Sequence, residues 1–207
     1  MAVETRTQNA MDRFVAKTRD LFSEETDLER RWELLRPILA ELLADPEVLE
    51  ASQDWPEMSP VDGRARNLLF YEDPDYKFVI NGLTRSASRP AGSQSRIHDH
   101  GHIYTLYGVL TGHERIERYE RLDDGSKPDY AEVRRTVDVL VGPGDIDLVR
   151  PFEVHSEVAT GEARAAIVIR SENGGTFDHG RYDPETFVYY ESPGPVQVPG
   201  EMLPKKS

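Results

Sequence analysis

The sequence has 207 residues, a net charge of −13 and a hydrophobic content of 38%, which together suit one globular domain with or without an appendage. A uniformly acidic protein repels nucleic-acid phosphates and anionic lipids, so we expect neither a nucleic acid nor a membrane as a partner. The chain has no cysteine, which excludes disulfides and thiolate metal ligands. Because the N-terminus lacks a signal-peptide pattern, we expect a cytoplasmic protein.

Residues 1–60 are predicted to form a helical segment that packs on the outside of a sheet. Apolar side chains recur at helical spacing in two stretches. They are Met11, Phe14, Val15, Leu21 and Phe22 in the first, and Leu28, Trp32, Leu35, Leu39 and Leu42 in the second. Thr26 or Asp27 is the expected N-cap of the second helix, and Pro37 is expected to kink or split it. Pro46 could open a short third helix.

From about residue 64 the hydrophobic period changes from that of a helix to that of a strand. Strands are predicted at 66–71, 76–83, 103–110, 114–121, 130–141, 146–149, 154–159 and 163–171, with a further one over 182–190. Short strands separated by Gly/Pro turns are typical of an all-β sandwich or barrel. We expect the barrel to span residues 61–191, and residues 192–207 to form a Pro-rich extended arm.

Two histidines in the middle of the chain, His98 and His100, are two residues apart and would project from one face of a strand. His155 lies 55 residues further on, in a second strand pair with Gly/Pro turns, so we predict a site assembled from two separated hairpins. Three imidazoles leave up to three positions of an octahedral metal open for substrate, O₂ or water. A structural zinc site would normally have four protein ligands, often cysteine, so a catalytic metal centre is the favoured interpretation.

Two further residues are candidates for contact with a substrate. His102 lies two residues after His100 and would face the same side of a strand as His98 and His100. We therefore expect it beside the metal or at the mouth of the site. Arg170 is a lone arginine on the otherwise apolar strand Ala-Ala-Ile-Val-Ile. A buried arginine needs an anionic partner, and we expect Arg170 to bind an anionic group of the substrate.

The spacing of these residues resembles the first motif of the cupin superfamily. The motif positions are occupied by Gly92, His98, His100, Thr105 and Gly112. Gly144-Asp145, followed by His155, resembles the second motif. Thr105 stands where the first motif usually has a glutamate ligand, which is similar to the three-His branch containing cysteine dioxygenase and related thiol dioxygenases.

The resemblance covers roughly residues 60–190 and implies a cupin double-stranded β-helix, a jelly-roll barrel, with N-terminal α-helices. Members of that branch hold Fe(II) with three histidines, bind a small thiol carboxylic acid such as cysteine or 3-mercaptopropionate, and add both atoms of O₂ to the sulfur, giving a sulfinate. The resemblance implies that His98, His100 and His155 are the iron ligands. It also implies that Arg66 binds the substrate carboxylate and that Tyr104 lies near the metal as a catalytic residue, where the family has a histidine.

Other functions stay open at this point. Many thiol dioxygenases carry a Ser-x-His-x-Tyr set on the strand after the third histidine, where this chain has Val168, Arg170 and Glu172. The alternatives are a three-His oxygenase acting on a carbon or nitrogen substrate, a metal-dependent isomerase or hydrolase that does not use O₂, and a non-catalytic cupin that binds a small molecule. Imidazole also binds nickel, copper and zinc, and the protein could be a monomer or a homodimer.

Overall fold

The structure is a computed structural model that describes residues 8–75 and 78–204. Within this part of the chain three helices precede twelve strands. The helices are α1 (Ala10–Glu24), α2 (Leu28–Leu43) and α3 (Pro46–Ser52). The strands are β1 (Arg66–Asp73), β2 (Phe78–Arg85), β3 (Ile97–His98), β4 (Thr105–Thr111), β5 (Glu114–Arg121), β6 (Val133–Val141), β7 (Ile146–Val149), β8 (Val154–Ala159), β9 (Arg164–Arg170), β10 (Asp178–Tyr182), β11 (Tyr189–Pro193) and β12 (Val196–Pro199). None of the helices described is long and apolar enough to cross a membrane.

Each helix begins at a side chain that accepts a hydrogen bond from its first turn. Asn9 caps α1 and forms a reciprocal pair with Asp12. Asp27 caps α2, so it is the one used of the two caps predicted there. Asp45 caps α3, whose first residue is Pro46. These caps satisfy backbone N–H groups that have no partner inside the helix.

Helix α2 continues through Pro37, so the predicted split at this proline does not occur. The apolar stripe of the helix is fully buried, with Trp32, Leu35 and Leu39 each at most 1% exposed. Burial of one large apolar side chain contributes about 1.5–3 kcal/mol, whereas a proline inside a helix costs roughly 3 kcal/mol. The packing of the stripe therefore outweighs the proline.

The strands form two six-stranded sheets. The first sheet has the order β12-β1-β2-β9-β4-β7, and the second has the order β11-β10-β3-β8-β5-β6. Successive strands alternate between the sheets from β2 to β5 and again from β6 to β10, because β2, β4, β7 and β9 lie in the first sheet whereas β3, β5, β6, β8 and β10 lie in the second. This is the jelly-roll winding of a double-stranded β-helix. The predicted mainly β fold, a double-stranded β-helix with N-terminal α-helices, is confirmed.

The N-terminal helices cover the outer face of the first sheet. One buried cluster joins Trp32 of α2 to Phe78 of β2 and Ile167 of β9. The backbone of β4 comes close to α2 at Gly108, where an added Cβ would lie 2.8 Å from a methyl of Leu43. With the outer face covered by helices, the space between the two sheets is left for a site.

The end of the described chain adds a strand to the first sheet. Strand β12 pairs in parallel with β1 and places Val196 beside Arg66. The stretch that we expected to be an extended arm therefore includes a sheet strand, and its last residues, 205–207, lie outside the described residues, as do 76–77 of the second predicted strand. The strand predicted over 182–190 is wrong, because β10 ends at Tyr182 and β11 begins at Tyr189.

Candidate metal centre

Three histidines meet between the two sheets. His98 ends the short strand β3 and is the register partner of His155 in β8, and His100 follows two residues later. The ring centroids of His98 and His155 are 4.4 Å apart, and that of His100 is 4.6 Å from His155 and 5.2 Å from His98. One ring nitrogen of each residue lies within 4.8 Å of the other two. This spacing approaches the span of two imidazole–metal bonds of about 2.0–2.1 Å each, so the three residues can share one ion.

A hydrogen bond on Nδ1 orients each ring. Nδ1 of His98 lies 2.8 Å, and Nδ1 of His155 lies 3.1 Å, from the carbonyl oxygen two residues earlier. Because a carbonyl oxygen only accepts, Nδ1 carries the proton in both rings and Nε2 keeps its lone pair. Nδ1 of His100 lies 3.0 Å from the hydroxyl of Thr105. Thr105, which stands where the cupin motif usually has a glutamate ligand, therefore orients the candidate ligand His100. Hydrogen bonds of this kind are usual behind metal-binding histidines.

Burial keeps two of the rings neutral at physiological pH. It lowers the pKa of His98 to about 3, and the neighbouring His155 adds to this shift. Burial also lowers the pKa of His100 well below its ordinary value, with further contributions from His155 and His98. A histidine binds a metal in its neutral form, so neither ring has to lose a proton at pH 7.

The three rings line a cavity of about 790 Å³ between the sheets. Pockets for small-molecule ligands commonly measure about 300–1,000 Å³, so this volume suits a small substrate. Thr105 and Tyr107 of β4 line the cavity, as do Val168 and Arg170 of β9. Each pair is two residues apart, which is the spacing of side chains on the inner face of a strand.

Arg170 lies in the cavity wall with one of its donors unused. The side chain is 5% exposed, and its Nη1 donates a 2.6 Å hydrogen bond to the amide oxygen of Asn81. Its Nε has no hydrogen-bond partner among the described residues. Burial lowers the pKa of Arg170 to about 10, so the guanidinium is still charged at pH 7. This charge faces the same cavity as the three histidines.

Tyr104 points away from the cavity, which corrects the prediction that it lies near the metal as a catalytic residue. Its ring stacks on Trp32 of α2, with centroids 5.9 Å apart and planes 5° apart. The reason is the alternation of side chains where the chain enters β4: Thr105 faces inward, so its neighbour faces outward.

Two predicted substrate-binding residues, Arg66 and His102, also lie outside the cavity. Asn67 lines the cavity. Successive side chains of a strand point to opposite faces, so the side chain of Arg66 points to the other face of β1. The side chain of His102 is 56% exposed, and its Nε2 lies 3.1 Å from the carboxylate of Glu172. Of the three predicted substrate-binding residues, Arg170 alone lines the cavity.

Glu157 lines the cavity but was not singled out from the sequence. One carboxylate oxygen lies 4.0 Å from Nε2 of His155, and the other accepts a 2.5 Å hydrogen bond from the Ser95 hydroxyl. Burial acts to raise the pKa of Glu157, but His98, His155 and Ser95 together lower it more, so the pKa is lowered overall. Its position could have been predicted from the sequence, because Glu157 is two residues after His155 on β8 and therefore faces the same side of the strand.

A fourth histidine, His179, also lines the cavity. Its ring centroid lies 5.7 Å from that of His100, and its Nε2 lies 3.0 Å from the carbonyl oxygen of Gly174. That bond gives Nε2 the proton, so Nδ1 is the free acceptor of this ring. The residue belongs to β10, a strand that the sequence did not predict.

Asp99 fixes the segment that carries two of the histidines. One of its carboxylate oxygens accepts hydrogen bonds from the backbone N–H groups of Gly101, at 2.8 Å, and Gly180, at 3.0 Å. The other accepts a 2.6 Å hydrogen bond from the Tyr182 hydroxyl. These three bonds tie the turn after β3 to β10.

We expect Tyr182→Phe to lower the free energy of unfolding by about 1–3 kcal/mol, because it leaves a buried carboxylate oxygen without its donor. Urea denaturation measures the loss. Tyr189→Phe is the matched control, since the hydroxyl of Tyr189 lies 3.1 Å from the exposed carboxylate of Glu191. Equal losses in the two variants would contradict a supporting role for the bond to Asp99.

No protein-family model matches the sequence, and no curated protein matches it. Solved structures do show similarity. One is an uncharacterized conserved protein with a double-stranded β-helix domain from Klebsiella pneumoniae, which is 17% identical. The match covers 54% of this chain and 75% of the Klebsiella chain, with a TM-score of 0.37. The cupin domain of Schizosaccharomyces pombe Cnp3 is 10% identical over 52% of this chain and 64% of its own, with a TM-score of 0.37. A hydroquinone 1,2-dioxygenase solved with Cd²⁺ and 4-hydroxybenzonitrile is 12% identical over 74% of this chain and 75% of its own, with a TM-score of 0.40. At such identities and TM-scores the matches carry no argument about function, so the chemistry has to be argued from the residues of this chain.

Proposed function

We propose that this protein is a metal-dependent dioxygenase of a small organic acid, with a thiol carboxylic acid as the first substrate class. The observation that carries the proposal is the set of three imidazoles facing a cavity of substrate size. Fe(II) is the proposed metal, although imidazole binds other divalent transition ions as well.

The side chains around the cluster fit such an ion. His98 and His155 each present Nε2 with a free lone pair, as their Nδ1 bonds require. Three protein ligands leave open positions, which a reaction between two small molecules needs. When bound, Fe(II) would supply the redox chemistry that allows O₂ to react with an organic substrate.

Arg170 is the group that would hold the acid. A guanidinium binds a carboxylate through two parallel hydrogen bonds, which fixes the orientation of the substrate as well as its position. Val168 and Tyr107 form neighbouring parts of the wall and would exclude water from the bound substrate. For a thiol substrate the overall reaction is RSH + O₂ → RSO₂H, in which both oxygen atoms end on the sulfur.

A three-His oxygenase of a non-thiol organic acid is the second candidate. The observation that favours it is the position of the tyrosines after His155. The hydroxyl of Tyr182 is bonded to Asp99 and that of Tyr189 lies against Glu191. Neither of these residues lines the cavity, and neither does Tyr190; Tyr107 is the one tyrosine among the described residues that line it. The hydroxyl found in many thiol dioxygenases therefore has no counterpart on these strands.

The test is O₂ uptake after anaerobic loading with Fe(II), using three thiol acids, cysteine, 3-mercaptopropionate and mercaptosuccinate, and their hydroxyl analogues, serine, 3-hydroxypropionate and malate. We expect O₂ uptake and a sulfinate product with at least one thiol acid, and an unchanged rate, within about twofold, in Tyr104→Phe. Uptake with the hydroxy acids alone would favour the second candidate. No O₂ uptake with any acid, or turnover under argon, would contradict a dioxygenase.

A further inference from the structure

Six arginines among the described residues line the cavity, and none of them is paired with a carboxylate in that part of the chain. They are Arg64, Arg85, Arg89, Arg96, Arg170 and Arg181. Eleven arginines elsewhere in the described chain lie within 4.0 Å of an aspartate or glutamate oxygen, and none of the six does. Acidic residues outnumber basic ones by 38 to 25, so a shortage of carboxylates does not explain the difference.

Neutral groups orient these guanidiniums. Nε and Nη2 of Arg64 donate to the carbonyl oxygen of Gly194, at 3.0 and 2.7 Å. Nε of Arg181 donates a 3.0 Å hydrogen bond to the Ser192 hydroxyl. Such bonds fix the position of a guanidinium without neutralising it, so both charges remain available to a ligand.

The cavity wall is positive although the chain as a whole is negative. Its acidic residues are Glu57, Asp62, Asp147 and Glu157, so arginines exceed carboxylates by six to four. Asp147 is already paired with Arg118 outside the wall, at 2.5 Å. A metal held by the histidines would increase the positive charge, and an anionic ligand would balance it.

The arginines stand on both sides of the histidine cluster. Arg170 belongs to β9 in the first sheet and is the register partner of Thr105, whose hydroxyl supports His100. Arg181 belongs to β10 in the second sheet and is the register partner of His98. A compact anion such as phosphate would meet one side of the cluster. An acid with two separated carboxylates could meet a guanidinium on each side.

We infer that the cavity binds a small organic acid with two separated carboxylates, one held by Arg170 and the other by Arg181, across the histidine cluster. The inference rests on the proposed function for the location of the substrate, and it narrows the substrate class from small organic acids in general to those with two carboxylates.

Succinate and butyrate are the probes for this inference, because they have the same number of carbon atoms and differ by one carboxylate. We expect isothermal titration calorimetry on the full chain, as purified and again after treatment with a chelator, to show at least tenfold tighter binding of succinate. A charge-assisted hydrogen bond contributes enough for that factor. We expect Arg181→Gln to weaken succinate binding at least tenfold while changing butyrate binding less than threefold.

Two further variants separate charge from fold. Arg181→Lys keeps the charge but loses the two-pronged geometry, and we expect succinate affinity between those of the wild type and Arg181→Gln. Arg115→Gln is the control, because Arg115 pairs with Asp138 on the β5–β6 hairpin and does not line the cavity; we expect unchanged binding. Circular dichroism confirms that each variant is folded.

Equal binding of succinate and butyrate would overturn the inference, as would phosphate binding that depends on Arg181 as strongly as succinate binding does. Neither result touches the proposed function, because the calorimetry needs neither O₂ nor turnover. Conversely, a protein that takes up no O₂ but prefers succinate to butyrate would retain the binding site and lose the dioxygenase assignment.

Discussion

Affinity for a divalent transition metal should fall at least 100-fold when His98 or His155 is replaced by alanine. Each of these residues offers one of the three nitrogens that lie within 4.8 Å of one another. Removing only a hydrogen-bond partner behind a ligand typically costs 10–100-fold in affinity, and removing the ligand itself should cost more. The two residues come from different strands, β3 and β8, so equal losses would indicate that both hairpins contribute to one ion.

Competition with a chromophoric chelator for Zn(II) or Co(II) measures this loss. His113→Ala is the matched control, because Nδ1 of His113 lies 2.9 Å from the surface carboxylate of Glu162 and the ring does not belong to the cluster. We expect its affinity to stay within about threefold of the wild type. Affinities of His98→Ala and His155→Ala as high as that of the control would rule out a shared site.

Trp32→Ala should lower the free energy of unfolding by about 3–5 kcal/mol, the cost typical of removing a buried aromatic side chain. Trp32 is 1% exposed. Its ring lies edge-on to Phe22, with centroids 5.6 Å apart, and stacks on Tyr104 at the entry to β4. The substitution therefore removes contacts within the helical layer and between that layer and the first sheet.

Urea denaturation followed by circular dichroism and by tyrosine fluorescence measures the change and tests whether helices and sheets unfold together. Leu34→Ala is the control, because Leu34 is 40% exposed on the same helix, and substitutions on the surface usually stay within about 0.5 kcal/mol. A Trp32→Ala protein in which the helices melt first, while the sheets unfold at the wild-type urea concentration, would contradict a single cooperative core.

The strand bounds that the sequence predicted best are those between strong turn signals. The predicted ranges 114–121, 146–149 and 154–159 agree with β5, β7 and β8 residue for residue. Asp-Asp-Gly follows the first of these ranges and Gly-Pro-Gly-Asp precedes the second, and such residues end strands because of the turns that they favour. The meeting of His98 with His155 was also predictable, because the stretch around His98 resembles the first cupin motif and the stretch before His155 resembles the second.

The side-chain directions after His100 could not be predicted in the same way. Strand alternation would place His102 on the same face as His98 and His100, but β3 ends at His98. Gly101 has a φ of 60°, a left-handed conformation that interrupts the alternation of a strand. His102 therefore points to solvent, and Tyr104 points to the helices.

Apart from Arg170, the arginines of the cavity could not be predicted from the sequence, for a different reason. Arg64, Arg85 and Arg181 come from three separate segments of the chain. Asp62 is close to Arg64 in the sequence and Asp183 is close to Arg181, whereas no acidic residue lies between Asp75 and Asp99 around Arg85. Whether a carboxylate actually lies beside a guanidinium depends on the tertiary fold. Arg170 was predictable because the five residues before it on β9, 165–169, are all apolar, so a charge at their end required an explanation.

We expect three imidazoles to hold one ion and to leave part of its coordination shell free of protein. X-ray absorption at the metal edge of the wild-type protein, loaded with one Zn(II) per chain, tests this claim most directly. We predict three imidazole nitrogens at about 2.0–2.1 Å, together with at least one oxygen from water. Fewer than three imidazoles, or a shell closed by four protein ligands, would contradict it.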